Sequence, residues 1–146
     1  MSIATAGFAA TLHIRDHCLC LHAQRAARAL SRRFDEAFRA IGITSGQFSL
    51  LNSLNRPEPP TIGAVGAVLG MDRSTVTVNL KPLEKKGAVA TMVDPKDRRG
   101  RRVALTDAGR ALLAQATPIW IAEHARVEAE LPGEADALRA GLRGVA

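Results

Sequence analysis

The sequence contains no tyrosine, one tryptophan and only two cysteines in 146 residues. Two cysteines are too few for the disulfide framework of a small secreted protein, and a zinc site would need four suitable ligands. We therefore predict no structural metal and expect both thiols to be reduced. A chain of this length can bury a hydrophobic core without such cross-links.

Long hydrophobic runs and catalytic motifs are missing as well. No stretch approaches the roughly 18 apolar residues of a transmembrane helix, and no cation precedes Arg15, as a signal peptide's basic start would require. The segment GAVGAVLG follows a proline-rich loop and not a strand, so it does not fit a dinucleotide-binding site. A nucleophile elbow and a histidine-rich metal motif are absent too. We predict a cytoplasmic protein that is not an enzyme and has no cofactor, catalytic residue or metal.

The positive charge lies in the middle of the chain. Lysine and arginine number 20 against 14 acidic residues, which gives a net charge of +6. Residues 72–110 supply +5, residues 1–71 supply +3, and residues 111–146 supply −2. Such a basic segment favours a polyanionic partner, either nucleic acid or an anionic membrane surface.

Hydrophobic periodicity predicts a fold that is mainly α with a small β wing. The apolar residues of Ile14–Ile41 recur with the period of one long amphipathic helix. A second helix is expected to begin at Thr44 or Ser45 and to stop before the prolines of RPEPP. At the C-terminal end we expect a long helix, bent or interrupted at Pro118, and a final short one.

The middle of the chain has the pattern of a winged helix-turn-helix. Two short helices are predicted at 61–69 and 72–86, joined by a tight turn. The alternating segments AVATMVD and RRVALT then predict an antiparallel hairpin around the basic loop PKDRRG. In DNA-binding proteins of this kind, the second helix of the motif enters the major groove.

These elements predict a single compact domain with dimerisation helices at both ends. The terminal helices are rich in Ala, Leu and Ile, and carry more apolar surface than one DNA-binding module can cover, which indicates a homodimer. The predicted parts are a flexible N-terminal arm (1–12), an N-terminal dimerisation helix (13–42), the winged helix-turn-helix module (43–106) and C-terminal dimerisation helices (107–146).

The second helix of the motif and the hairpin carry the predicted DNA contacts. Short polar groups stand where such helices meet base edges, and later lysines can meet phosphates. The hairpin places cations beside the minor groove, with Asp97 expected to hold the loop by pairing with a nearby arginine. Taken singly, each side chain also fits a helix cap or a solvated charge, but their combination favours DNA. The predicted residues are Arg73, Ser74, Thr75, Thr77, Asn79, Lys81, Lys85, Lys86, Lys96, Asp97, Arg98, Arg99, Arg101 and Arg102.

Three segments carry a family resemblance: TSGQFSLLNSL, MDRSTVTVNLKPLEKKGAV and DPKDRRGRRVALTDAGRALL. With the wing signature of Asp97, two arginines and a Leu-Thr pair, they make residues 17 to 130 similar to the MarR (multiple antibiotic resistance regulator) family of winged-helix transcription factors. The resemblance implies a homodimer built from the terminal helices, a palindromic operator in double-stranded DNA, and usually repression relieved by a signal.

The resemblance also implies roles for single residues. Arg99 is then the minor-groove residue, and the following face the major groove: Ser74, Thr75, Thr77, Val78 and Asn79. Val78 stands where the family often has Arg or His, so contact with a thymine methyl group is expected at this position in place of a guanine contact.

A small effector is the first kind of signal that fits the sequence. Small aromatic or amphipathic acids are common effectors in the family. The residues that could line a site for one are His13, His22, Arg28, Phe48 and Trp120, although a lone His or Trp is more often part of the packing.

Thiol oxidation is the second kind of signal. The segment RDHCLCLHAQRAAR resembles the start of the organic-hydroperoxide-sensing branch of the family, with Cys20 at the reactive position. That branch places tyrosines near its cysteine, and this chain has none. Inside an intact helix the side chains of Cys18 and Cys20 would diverge by roughly 200° and could not join. Packing of small buried thiols is the plainer interpretation.

An enzyme and a scaffold or membrane-surface protein are the alternatives from other classes. Turnover of a substrate would support the first, and competition between vesicles and duplex DNA would test the second. From the helix-turn-helix and its wing, we expect a sequence-specific DNA-binding transcriptional regulator without a membrane partner, either a repressor released by a ligand or a thiol-based sensor.

Overall fold

The computed structural model describes residues 7–146. Its elements are α1 (Phe8–His17), α2 (Leu19–Phe38), a 3-10 turn (Arg39–Ile41), α3 (Ser45–Leu54), α4 (Ile62–Leu69), α5 (Arg73–Lys85), β1 (Val89–Asp94), β2 (Asp97–Leu105), α6 (Asp107–Glu130) and α7 (Ala135–Arg143). This order confirms the predicted fold class. The chain is mainly helical, with a two-stranded antiparallel wing that has helices before and after it in the sequence. Within residues 7–146, no helix is long and apolar enough to span a membrane.

The residue contacts divide the chain into two compact units, one ending at Arg33 and the other beginning at Phe34, whereas the sequence predicted one compact domain. The arm predicted at 1–12 is helical from Phe8 onward, and its residues 1–6 lie outside the described part of the chain.

The single long helix predicted over Ile14–Ile41 is wrong, because the helix is interrupted at Cys18. The backbone of Cys18 is extended there, with φ −69° and ψ 111°. The Cys18 thiol accepts a hydrogen bond from the backbone N–H of Leu21 at 3.4 Å. The thiol is thus an acceptor for one of the backbone N–H groups in the first turn of α2, which have no acceptor within the helix.

Side-chain caps fix the start of four helices in the second unit. A hydroxyl or carboxylate oxygen of Thr44, Thr61, Asp72 and Thr106 accepts the backbone N–H three residues later, at 2.8 to 3.1 Å. Gln47 completes a capping box with Thr44. Because such caps satisfy N–H groups that have no partner within the helix, they define helix starts locally, which is why the sequence could predict them.

The core of the second unit lies between α3, α4, α5, the wing and α6. Its largest fully buried side chains are Phe38, Leu50, Leu51, Leu80, Leu83, Val65, Val76 and Val103. Pro118 does not interrupt α6, since Leu113 and Ala116 before it are buried and Ile119 and Trp120 after it pack against the same core. Packing on both sides outweighs the loss of one backbone hydrogen bond.

The wing is longer than the sequence predicted. Its strands pair in register from Val89 opposite Leu105 to Val93 opposite Arg101, and then Asp94 pairs with Asp97. The six-residue loop predicted here is therefore a tight turn at residues 95–96. Residues 98–100 are extra on β2 and form an irregularity in the pairing.

Candidate nucleic-acid interface

A tight turn sets α5 relative to α4. Gly70 ends α4 in the left-handed region at φ +67°, where glycine meets no steric penalty. The backbone N–H of Met71 donates to the carbonyl of Gly66 at 2.9 Å. A Cβ atom on Gly66 would overlap the carbonyl oxygen of Met71, so the close approach of helix and turn requires glycine at this position.

Helix α5 has one buried and one exposed face. Val76, Leu80 and Leu83 are buried in the core, while Val78 on the outer side is 60% exposed. All of the contacts predicted on this helix and its cap are exposed: Arg73, Ser74, Thr75, Thr77, Val78, Asn79, Lys81, Lys85 and Lys86. The fold therefore leaves this face of α5 open to a partner.

Several polar groups on this face have partners within the helix. Ser74 Oγ donates to Asp72 Oδ1 at 2.8 Å, and Thr77 Oγ1 donates to the Arg73 carbonyl at 2.9 Å. Asn79 Nδ2 donates to the Thr75 carbonyl at 2.8 Å. Asn79 keeps a second N–H and its side-chain oxygen, and Thr77 keeps its hydroxyl lone pairs, so both can still meet a base edge. Capping and DNA contact are thus compatible roles here.

Asp72 organises the first turn of α5 through its carboxylate. The backbone N–H of Thr75 and the hydroxyl of Ser74 both donate to it, and these bonds lower the pKa of Asp72 below its ordinary value. The Asp72 carboxylate therefore stays charged to a lower pH than an ordinary aspartate, and the dipole of α5 also favours a negative charge at the helix N-terminus.

Lys86 is engaged within the protein. Its Nζ donates to the carbonyl of Gly42, at the end of the 3-10 turn. The ammonium of Lys86, which was predicted to meet phosphate, thus links the C-terminal end of α5 to that turn and keeps two further N–H donors.

An ion pair next to the turn of the wing joins the two strands. Asp94 is only 6% exposed, and its Oδ1 accepts from Arg102 Nε at 2.9 Å and from the backbone N–H of Lys96 at 3.0 Å. The N–H of Lys96 and the guanidinium of Arg102 lower the pKa of Asp94 below its ordinary value. Arg102 also donates from Nη1 to the carbonyl of Pro59 at 2.7 Å, which ties the wing to the loop before α4.

This ion pair corrects two sequence expectations. Arg102 was placed beside the duplex, but its side chain is mostly covered and is used by Asp94 and Pro59. Asp97 was expected to pair with an arginine side chain, but its Oδ1 accepts the backbone N–H of Arg99 at 3.1 Å. The sequence analysis did not predict the role of Asp94 as the partner of Arg102. The only feature of the sequence that could indicate it is the position of Asp94 directly before the turn.

The remaining cations of the wing stand at its exposed tip, namely Lys96, Arg98, Arg99 and Arg101. The carboxylate of Asp97 holds the backbone at Arg99, and Arg101 Nη1 donates to the Gly100 carbonyl at 3.2 Å. The tip is thus a cationic loop that the ion pair of Asp94 and Arg102 anchors to the strands.

The five effector-pocket candidates are divided between the two units of the chain. In the second unit, Phe48 and Trp120 line a cavity of about 460 Å³ that opens between α3, α4 and α6, and their ring centroids are 6.4 Å apart. In the first unit, His22 and Arg28 line an open groove along α2. His13 stacks on His17 in α1, with ring centroids 4.2 Å apart.

The two cysteines lie at the start of α2. Cys18 is half-buried at the helix break, whereas Cys20 is exposed and its sulfur accepts from Gln24 Nε2 at 3.3 Å. The intact helix that would keep the two side chains apart is therefore not present at this point.

Comparison with known proteins places this geometry among DNA-binding regulators. A family model described as MarR family matches residues 43–100. The transcriptional activatory protein BadR of Rhodopseudomonas palustris is 32% identical over 87 residues, which is 58% of this chain and 50% of BadR. The chain thus spans about half the length of such curated relatives.

Two solved protein–DNA complexes share the fold over most of the chain. The transcriptional regulator MosR of M. tuberculosis, in complex with DNA, is 34% identical with a TM-score of 0.81, covering 88% of this chain and 93% of MosR. The transcriptional repressor CouR of Rhodococcus jostii, bound to a 23-mer duplex, is 28% identical with a TM-score of 0.77, covering 90% of this chain and 94% of CouR.

Proposed function

Since this chain belongs to the MarR family of DNA-binding transcription regulators, we propose that it is a homodimeric repressor of a palindromic operator, released by a small aromatic or amphipathic ligand. Members of this family are non-enzymatic, as the sequence predicted for this chain. Its proposed place of action is the cytoplasm, where it would meet chromosomal DNA.

The observation that carries this proposal is the exposed face of α5 next to a cationic wing. Helix α5 would enter the major groove, while Arg99 at the wing tip would reach the minor groove. Lysines on α5 and cations on the wing would meet phosphates and supply much of the affinity. Asp97 would position the wing tip by holding the backbone at Arg99. The proposed DNA-contacting residues are Arg73, Ser74, Thr75, Thr77, Val78, Asn79, Lys81, Lys85, Lys86, Lys96, Arg98, Arg99 and Arg101.

Exposed apolar side chains on the terminal helices support a dimer. Ile14, Leu19 and Leu30 are exposed on α1 and α2, and Leu138 and Leu142 are exposed on α7. Burying such side chains between two copies is favourable, and a two-fold axis would place two copies of α5 in successive major grooves.

The relatives include both an activatory protein and a repressor, so repression is the part of the proposal that needs its own test.

Selection from a library of random duplexes tests the proposal. We expect the enriched sequences to contain a palindrome whose half-sites lie about 10 base pairs apart, one helical turn, because a two-fold dimer reads them at a fixed spacing. A transcription assay with the selected site overlapping a promoter then tests repression. Enrichment of sequences without two-fold symmetry would contradict the dimeric operator, and activation by the bound protein would contradict repression.

A second candidate function is thiol-based sensing of an organic hydroperoxide through Cys20, and the helix break at Cys18 favours it. The Cys20 thiolate would attack the peroxide and become a sulfenic acid, with release of the alcohol. The Cys18 thiol would then condense with this sulfenic acid, forming a disulfide and releasing water.

Anisotropy of a labelled operator tests the thiol mechanism. If it operates, cumene hydroperoxide releases the wild-type protein from DNA and dithiothreitol restores binding, whereas Cys20→Ser stays bound. Cys18→Ser is the matched control, which should still form the sulfenic acid but no intramolecular disulfide. Wild-type binding that is indifferent to peroxide would exclude this function.

A further inference from the structure

We propose that the cavity between α3, α4 and α6 binds an uncharged aromatic molecule that donates hydrogen bonds, and not an aromatic acid. This inference rests on the proposed function, in which a small ligand releases the operator. It concerns the cavity of about 460 Å³ lined by Phe48 and Trp120, called here the effector cavity. Its size lies within the range of small-molecule sites.

The effector cavity has a fixed aromatic wall. The rings of Phe48 and Trp120 are nearly parallel, at 18°, and belong to a closed set of rings that also contains Phe34, Phe38 and His124. Within this set Phe38 is fully buried and stacks on Phe48 at 4.9 Å. Because each ring is held by its neighbours, the wall offers a flat ligand a surface that need not rearrange.

The opening of the effector cavity is apolar. Val68 of α4 is 61% exposed and Ile121 of α6 is 57% exposed, and both line the cavity. An aromatic ligand would cover these two side chains and Trp120 at the same time. Removal of this apolar surface from water would favour binding.

Two of the hydroxyl groups in the effector cavity act as acceptors. Thr117 Oγ1 donates its hydrogen to the Leu113 carbonyl at 2.8 Å, and Ser53 Oγ donates to the Leu50 carbonyl at 2.7 Å. Both hydrogens are thus used within the helices, and these two oxygens offer a ligand lone pairs only. The Asn52 carboxamide offers a donor and an acceptor. A ligand that carries its own O–H or N–H groups matches this set.

The charge of the lining decides between an acid and a neutral molecule. Among residues 7–146, those that line the effector cavity include no charged side chain. A carboxylate would lose its water there without gaining a cation, and the oxygens of Ser53 and Thr117 would meet it with lone pairs only, which is unfavourable. The groove on α2 has the opposite character, because Arg25, Arg28 and Arg32 line it. An aromatic acid therefore fits the α2 groove better than the effector cavity.

Tryptophan fluorescence of the 146-residue chain without DNA tests the inference, because Trp120 is its only tryptophan. The probes are 4-hydroxybenzamide and 4-hydroxybenzoate, which differ only in the amide and the carboxylate. At pH 7 we expect the amide to change the emission of Trp120 and to bind about tenfold more tightly than the carboxylate, or more. Equal or tighter binding of the carboxylate, or no response to the amide, would overturn the proposal.

Two variants assign the effect to the effector cavity. Thr117→Val removes an acceptor at nearly constant volume and should weaken amide binding about fivefold to tenfold, while Thr91→Val on the exposed side of β1 should leave it unchanged. Asn52→Arg adds a cation at an exposed position of the lining and should reverse the preference in favour of 4-hydroxybenzoate. If Asn52→Arg leaves the preference as it is, the charge argument is wrong.

Operator binding is measured separately, so the two failures can be told apart. If the protein prefers the amide but never binds a palindrome, the proposed function fails and the ligand assignment stands. If it binds the palindrome and prefers the carboxylate at Trp120, only the inference of an uncharged ligand fails.

Discussion

Arg99 and Arg102 lie three positions apart on β2 and have different roles. Arg102 is mostly covered and pairs with the buried carboxylate of Asp94, whereas Arg99 stands exposed at the wing tip. In the sequence both belong to one run, RRGRR, and nothing in that run separates them. The difference arises from the irregular pairing after Val93 and from the burial of Asp94, and both are tertiary features.

Arg99→Ala tests the role of the wing tip. We expect operator affinity to fall by about 1–3 kcal/mol, because a groove-inserted arginine is lost, while the urea unfolding midpoint stays the same. Operator anisotropy and urea titration measure the two quantities. Arg126→Ala removes the same charge from an exposed position on α6 and should have a much smaller effect. Unchanged affinity in Arg99→Ala would remove this residue from the interface.

The lowered pKa of Asp94 predicts how stability depends on pH. Because its pKa is lower in the folded protein, its contribution is complete above the ordinary carboxyl range and is lost as the pH falls through the folded value. The free energy of unfolding should therefore decrease as the pH falls below about 4. Urea titrations between pH 6 and pH 2.5 measure this decrease.

Asp94→Asn is the comparison for this pH dependence. The variant should be less stable at pH 7 because Arg102 loses its partner, and its stability should change less between pH 4 and pH 2.5. Equal pH profiles for the variant and the wild type would mean that Asp94 does not titrate with folding.

At the scale of elements, the capped helix starts were predictable, whereas the helix break at Cys18 and the length of the wing turn were not. The caps at Thr44, Thr61, Asp72 and Thr106 are local signals, since each involves only the next three residues. The break at Cys18 lies inside a continuous apolar pattern, which favours an unbroken helix. The two-residue turn of the wing depends on pairing across the hairpin, which composition alone does not specify.

Gly66→Ala tests the contact between α4 and the turn of the motif. A methyl group there would overlap the Met71 carbonyl, so we expect a loss of stability of about 1–3 kcal/mol and a matching loss of operator binding. Gly63→Ala on the same helix is the control, because its nearest neighbour is the flexible end of Arg73 at 3.3 Å. Urea unfolding measures both variants. A Gly66→Ala protein as stable as Gly63→Ala would show that the turn can shift at little cost.

At the scale of the whole molecule, the sequence predicted the fold class and the basic centre but not the effector cavity. Fold class follows from periodicity, and the basic centre follows from composition. The effector cavity is built from the neighbouring helices α3 and α4 and from α6, which lies far from them in the chain, so no local spacing could mark the whole of it. Two of the five candidate pocket residues, Phe48 and Trp120, line this cavity, and the other three belong to the first unit.

The charge distribution predicts a steep salt dependence of operator binding. With roughly six to ten phosphate contacts, affinity should fall about 10³- to 10⁵-fold between 50 and 200 mM salt. Anisotropy at several salt concentrations gives the slope of log K against log salt. Lys81→Ala should reduce the slope by about one, since it removes one phosphate contact, and a flat salt response would exclude electrostatic binding.

The most direct test of the account is anisotropy of a labelled duplex taken from upstream of the gene that encodes this protein, with a scrambled duplex of equal length and composition as the reference. The account predicts that the reduced protein binds the upstream duplex at least about 10³-fold more tightly than the scrambled one at 150 mM salt. Equal affinity for the two duplexes would contradict sequence-specific regulation from this site, whatever the fold.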